Sequence, residues 1–371
     1  MSYDAKIVDV QVYLVEKAIK GNFADSTRNV ETIGYCITDI TTDNGLHGFG
    51  LTYHEVGGEA IREFILKALK PKLIGRSPFE TEAIWEECFH YIRGVGRKGL
   101  AFCGYSTVDI AMWDLKGKLL NMPLYKLLGG VKTQIPIYAS GGWTSYSLEE
   151  LVEEAREMVR RGYTKIKLKV GVEGGNNPNE DVRRIRAVRD AIGPDIGLML
   201  DANNVWRSAT AVQVANRLRD LDILLFEEPV FADDIPGLAH FKQSTDIPLA
   251  TGEHEYTKFG IRDLILANAV DYVQCDVTRC GGFTEILKII GMTQAWNLAF
   301  APHGMEYMHM HLMSAAPNAP FLERLFMFED VSAMVFKDAP QPKNGYLELP
   351  NKPGLGMELD YDNIKEVCVK F

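Results

Sequence analysis

Lys165-Ile166-Lys167-Leu168-Lys169-Val170, closed by Gly171, is the stretch from which the rest of the chain can be read. Side chains alternate faces along a strand, so the three lysines share one face while Ile166, Leu168 and Val170 pack on the other. A row of amines has two readings. It is a solvated edge strand, or it lines the mouth of a pocket, where desolvation and a neighbouring cation both lower an amine's pKa and yield a base near neutral pH. The strands around it decide.

From residue 135 short apolar runs alternate with amphipathic helices. The runs are Ile135 to Ser140, Lys165 to Val170, Gly197 to Asp201, Leu224 to Glu228, Pro248 to Glu253, Tyr272 to Val277, Leu298 to His303 and Phe321 to Phe326. Helices are expected at 148–161 behind a Ser147-x-x-Glu150 capping box, and at 179–191, 208–220 and 283–295. Eight such repeats read as a (β/α)8 barrel, with a doubly wound open sheet as the rival. Before them, residues 4–16 and 32–53 read as strands with Asp43-Asn44-Gly45 as hairpin turn, followed by helices near 57–70, 78–93 and 104–120, the last capped by Ser106. Glu16 to Val30 is a long polar connection, either a surface loop or a lid. The expected division is an N-terminal α+β unit over 1–130, a barrel over 131–339, and a proline-bearing segment, 340–371, packing back on the first unit.

A length of 371 residues with 46% hydrophobic content allows a sizeable core. A formal charge of −10 without a basic stretch argues against nucleic acid. No apolar run is long enough for a bilayer, and the start, Met1-Ser2-Tyr3-Asp4, has no apolar leader, so a cytoplasmic protein is expected. Six scattered cysteines without a Cys-x-x-Cys pair fit reduced thiols.

Barrel active sites lie at the C-terminal ends of the strands. Here those ends carry Lys167 and Lys169, Asp201 and Asn203, Glu227, Glu253, Asp276, His303 and Glu323. Asp201, Glu227 and Glu253 are spaced 26 residues apart, one per consecutive strand, which sets three carboxylates side by side. Such an arc repels itself without a cation, and hard oxygen ligands suit Mg²⁺. Opposite stand the lysines and His303, with Asp276 placed to orient the imidazole. Two bases facing each other across a metal suit removal of a proton next to a carboxylate, whose enediolate needs electrostatic stabilisation. Glu323 is either a hydrogen-bond donor to that oxygen, if protonated, or a salt-bridge partner of Arg324 or another surface residue. His309 and His311, two apart on a helix, do not share a face.

The motifs Lys167-x-Lys169, Asp201-x-Asn203, Phe226-Glu227-Glu228-Pro229, Gly252-Glu253, Asp276 with Gly281-Gly282, Ala301-Pro302-His303 and Leu322-Glu323-Arg324 resemble the enolase superfamily, mandelate racemase subgroup, over essentially the whole chain. The resemblance implies an α/β fold: a modified (β/α)8 TIM-type barrel with an N-terminal α+β capping domain completed by the C-terminal tail. It implies Mg²⁺ on Asp201, Glu227 and Glu253, Lys169 as one acid/base, the His303-Asp276 dyad as the other, and Lys167 and Glu323 as stabilisers of carboxylate and enediolate. It also implies a homo-oligomer. The wording of Gly252-Glu253-His254-Glu255-Tyr256-Thr257, Val277-x-Arg279-Cys280-Gly281-Gly282 and Gly48-Phe49-Gly50-Leu51-Thr52-Tyr53 looks like acid-sugar dehydratases of the subgroup. The implied reaction is loss of water from an aldonate or aldarate to give a 2-keto-3-deoxy acid, with a racemase, epimerase or cycloisomerase as the alternative. Specificity is expected in the loops Glu16 to Val30 and Tyr53 to Gly58. Candidate substrate contacts are Lys17, Lys20, Arg28, Tyr53, His54 and Asn203, and a dicarboxylate is favoured if Lys17, Lys20 or Arg28 reaches its distal end.

Overall fold

The computed structural model describes residues 4–370; residues 1–3 and 371, which fall within the outermost expected domain ranges, lie outside them. β1 (Ile7–Ala18), β2 (Thr32–Thr42) and β3 (His47–His54) form an antiparallel sheet, with the Asp43–Leu46 turn between β2 and β3. β1 runs to Ala18, paired with Thr32, so the connection is shorter than the polar stretch from Glu16 suggests.

The first expected helix is interrupted. Gly58–Phe64 passes through a π turn, Ile65–Leu69, into Lys70–Leu73. The π turn lies just before Pro71, which has no N–H to continue the α-helical ladder. The third expected helix begins at Leu100 behind Gly99, not at Ser106. Ser106 is buried within it and donates to the Phe102 carbonyl at 2.8 Å while accepting from Gly281 N at 2.8 Å. It ties cap to barrel. The helix Leu100–Leu119 is buried on nearly every face because the cap sheet covers one side and the barrel helix Gly282–Ala295 the other. Gly50 permits the first approach, since a Cβ there would stand 2.0 Å from the Thr107 carbonyl oxygen.

All eight expected barrel strands form: β4 (Gln134–Gly141), β5 (Lys165–Lys169), β6 (Gly197–Asp201), β7 (Ile223–Glu227), β8 (Leu249–Thr251), β9 (Tyr272–Val273), β10 (Ala299–Phe300) and β11 (Leu322–Leu325). Parallel pairing runs from β4 through to β10, and β11 returns to β4, which excludes the doubly wound sheet. Among the described residues no ladder joins β10 to β11. Phe300 N instead donates to Asn318 O at 3.1 Å. Ile166 and Leu168 face the helices, where burial stabilises each by about 1.5–3 kcal/mol. Inside, Tyr138, Met199, Leu225, Ala301 and Phe321 fill the floor beneath the polar layer. The capping box forms as expected, with Glu150 N donating to Ser147 Oγ at 3.2 Å and Ser147 N to Glu150 Oε2 at 2.8 Å.

The last segment contributes to both units. β12 (Tyr346–Glu348) pairs antiparallel with β4, and the chain then crosses to the cap, where Val369 N donates to Leu14 O at 2.8 Å. No helix among the described residues is long and apolar enough to cross a membrane.

Candidate active site

Register assembles the charged layer. Lys169 pairs with Asp201 and Asp201 with Glu227, so an amine and two carboxylates share one row across β5, β6 and β7. Lys167 lies one inward position below; Lys165, level with Gly197, is half-buried further down. Lys169 Nζ lies 2.5 Å from Asp201 Oδ2, and Lys167 Nζ lies 2.6 Å from both Glu227 Oε2 and Glu323 Oε1.

Burial opposes charge on both amines, but the facing carboxylates prevail, so the lowered pKa expected from a row of amines at a pocket mouth is corrected. Glu227 and Glu323 hold Lys167 well above the usual lysine range, and Asp201 lifts Lys169. Burial likewise opposes ionisation of Asp201 and Glu323, yet Lys169 and Lys167 pull Asp201 down, and Lys167 and His303 pull Glu323 down. An ionised Glu323 accepts hydrogen bonds. It takes one from Gly304 N at 2.7 Å, which ties β11 to the loop after β10, while Arg324 turns away to Glu306 and Glu329. The pairing with Arg324 is therefore corrected: Glu323 pairs with Lys167 and accepts from Gly304 N, an arrangement that disfavours the protonated donor.

Negative charge is in surplus. Burial, against the pull of Lys167 and reinforced by Asp201 and Glu323, pushes Glu227 up to about 8. Burial and the charge of Glu228 push Glu253 up as well, against His254. Glu227 Oε2 accepts from Gln274 Nε2 at 2.7 Å, whereas its buried Oε1 has no hydrogen-bond partner. An under-compensated set of hard oxygens with an orphaned carboxylate oxygen fits a divalent cation of the Mg²⁺ type. Ligand atoms of Glu228, Glu253 and His254 also lie within 4.8 Å of one another. That set includes an imidazole, which suits borderline metals better than Mg²⁺. Burial opposes charge on His254, but Glu228 and Glu253 raise it to about 10, so it stands beside them as a cation.

Across the mouth, His303 Nδ1 lies 3.2 Å from Asp276 Oδ2 and Nε2 lies 3.3 Å from Glu253 Oε2. Asp276 is fixed from behind, its Oδ1 accepting from Thr278 N and Oγ1 at 2.8 Å each. The buried His309 braces the same corner. Val277 N donates to its Nε2 at 2.8 Å, which leaves Nδ1 to donate to Gly304 O at 2.8 Å. His309 and Gln274 went unassigned in the sequence. Gln274 sits at the inward position two residues before Asp276 and was legible by that period; His309 acts on backbone groups that no local pattern announces.

The other candidates divide. Arg28, Tyr53 and Asn203 line a cavity of about 680 Å3 above the carboxylates. Tyr53 stacks under Arg279, 4.5 Å from ring centre to guanidinium, and Arg279 lies 3.3 Å from Glu253 Oε1. His54 touches the wall, but its ring is buried between Gly34 and Gly58 because alternation along β3 turns it away from Tyr53's face. Lys17 and Lys20 line a separate cleft with Phe326, and Lys17 pairs with Asp330 at 2.7 Å. The extension of β1 carries Lys17 there. The loop after β1 is pinned to the barrel by Thr144 N to Ala24 O at 2.9 Å and Ser26 Oγ to Ala202 O at 2.6 Å.

An α+β cap over a barrel whose mouth gathers carboxylates, two buried lysines and a histidine is the class of protein that the fold and site define. Residues 7–129 match the mandelate racemase/muconate lactonizing enzyme N-terminal domain and residues 150–363 the enolase C-terminal domain-like family, and the chain belongs to the mandelate racemase subgroup of the enolase superfamily. It is 34% identical over 325 residues to an arabinonate dehydratase of Saccharolobus solfataricus, covering 86% of each chain. It is 34% identical to an L-talarate/galactarate dehydratase of Salmonella typhimurium, over 88% of this chain and 81% of the relative. Cycloisomerases are similar at 30% identity. A racemase from Streptomyces coelicolor, crystallised with bound magnesium, superposes with a TM-score of 0.93 at 28% identity, covering 98% of this chain and 100% of that one.

Proposed function

We propose that this chain is a Mg²⁺-dependent acid-sugar dehydratase that converts an aldonate or aldarate to a 2-keto-3-deoxy acid. The observation that carries the reading is the pair of proton carriers, Lys169 and His303, facing one carboxylate cluster from β5 and from the loop after β10. Asp201, Glu227 and Glu253 would hold the metal, which when bound supplies Lewis-acid withdrawal of charge from the substrate carboxylate. One of Lys169 and His303 removes the α-proton; the other protonates the departing β-hydroxyl, and water leaves. Asp276 keeps a proton on His303 Nδ1 and so leaves Nε2 to exchange one. Lys167 offsets negative charge growing on the enediolate.

The dehydratase relatives support elimination, and two opposed bases serve a racemase or epimerase equally well. A screen of mono- and diacid sugars with Mg²⁺, read by semicarbazide absorbance, separates them. A keto product is expected. Deuterium entering C2 from D2O without keto product establishes the alternative.

A further inference from the structure

The cavity over the barrel mouth has a floor and an outer wall of different character. Glu253 and Arg279 belong to the floor; the outer wall comes from Asp25 and Arg28 on the loop after β1, Glu55 after β3, Lys98 and Asp233. A second carboxylate at the distal end of a substrate needs a cation there that is free to take it. Neither cation of this wall is free.

Arg28 is held along two edges of its guanidinium. Nη1 lies 2.8 Å from Glu55 Oε2, Nη2 donates to Glu55 Oε1 at 3.0 Å, and Nε lies 3.4 Å from Asp25 Oδ2. The clamp is built into the backbone, since Asp25 Oδ1 also accepts from Thr27 N at 2.7 Å, Thr27 Oγ1 at 2.8 Å and Arg28 N at 3.0 Å. Arg28 cannot turn to a new anion without leaving Glu55, whose side chain is only 14% exposed, uncompensated. Lys98 Nζ is taken by Glu255 Oε2 at 2.9 Å. Nearer the floor, His254 stands 3.5 Å from Glu228 Oε1 and 3.6 Å from Glu253 Oε1, and Arg279 3.3 Å from Glu253 Oε1, so each cation lining the cavity already faces a carboxylate, while Asp233 adds negative charge to the outer wall.

We infer that the substrate ends, away from its reacting carboxylate, in an uncharged hydroxyl, so that it is an aldonate and not an aldarate, and that Glu55 sets this choice by occupying Arg28. The inference rests on the acid-sugar reading above and reverses the dicarboxylate preference expected from Arg28 alone. A freed Arg28 would gain a charge-assisted bidentate contact with a diacid.

The test compares kcat/KM for aldonate and aldarate pairs of matched stereochemistry, gluconate with glucarate and galactonate with galactarate, on the Mg²⁺-loaded full chain and its Glu55→Gln variant. The wild type is expected to favour the monoacid by about 10-fold or more, and Glu55→Gln to move the ratio toward the diacid by about 10-fold. Should Glu55→Gln fold poorly by circular dichroism, Glu55→Asp, which draws the carboxylate back by one methylene, moves the ratio the same way. A wild-type preference for the diacid, or a ratio that neither variant moves, overturns the inference and leaves the acid-sugar reading standing. Absence of both keto product and C2 exchange with every acid sugar overturns the reading itself.

Discussion

The two sides of the barrel mouth handle charge in opposite ways. On the β5 to β7 side, two buried amines and the carboxylates around them form one contiguous lattice, in which each charge depends on its neighbours. On the β9 to β11 side, a single imidazole is oriented by an aspartate that is itself held by backbone and hydroxyl donors. The difference teaches how the chain keeps a strongly anionic mouth without unfolding. Lys167 and Lys169 offset part of the arc's repulsion, while burial and neighbouring charge still disfavour ionisation of Glu227 and Glu253, which a bound cation would relieve on the function proposed above.

The first way to break this comparison is to remove the cation. Dialysis against EDTA should abolish turnover, with recovery on adding Mg²⁺, while the melting temperature measured by circular dichroism falls by only a few degrees. Global unfolding on chelation would mean that the lysines do not offset the arc. A smaller effect belongs to the histidine side. Asp276→Asn should lower kcat by about 10²–10³-fold through loss of the imidazole's tautomer, with KM little changed. A kcat within about twofold of wild type would show that the aspartate is only structural.

The smallest effect concerns His54, outside both sides. Burial lowers its pKa to about 4, so the folded chain holds it neutral. Its contribution to stability is complete above the unfolded value near 6.5 and is lost as pH falls from there toward 4. Chemical denaturation across that window should show a shallower loss of stability in His54→Gln than in wild type. An unchanged slope would place the acid sensitivity elsewhere, for instance at the buried His311, lowered to about 3.

What was legible in the sequence followed from periodicity. Alternation marked all eight barrel strands, and the inward positions at their ends carry the charges that register brings into one layer. The start of the helix at Leu100 was hidden because Gly99 precedes it without a side-chain cap, while Ser106 imitates one from inside the buried helix. The rim was less legible for a different reason. Lys17 finds Asp330 and Arg28 finds Glu55 only after the chain folds, so a cation read alone looks available when it is already paired. The partner of Glu323 was hidden in the same way, since Lys167 lies far from it in sequence whereas Arg324 is adjacent.

The most direct test of the two-base account is proton exchange at C2, followed by NMR in D2O with Mg²⁺ and the acid sugar found by the screen, in Lys169→Ala and His303→Asn. The account predicts that neither variant forms the keto product although both fold and bind Mg²⁺, and that C2 exchange survives only in the variant that keeps the residue removing the α-proton. Keto product at a wild-type rate from either variant would contradict it.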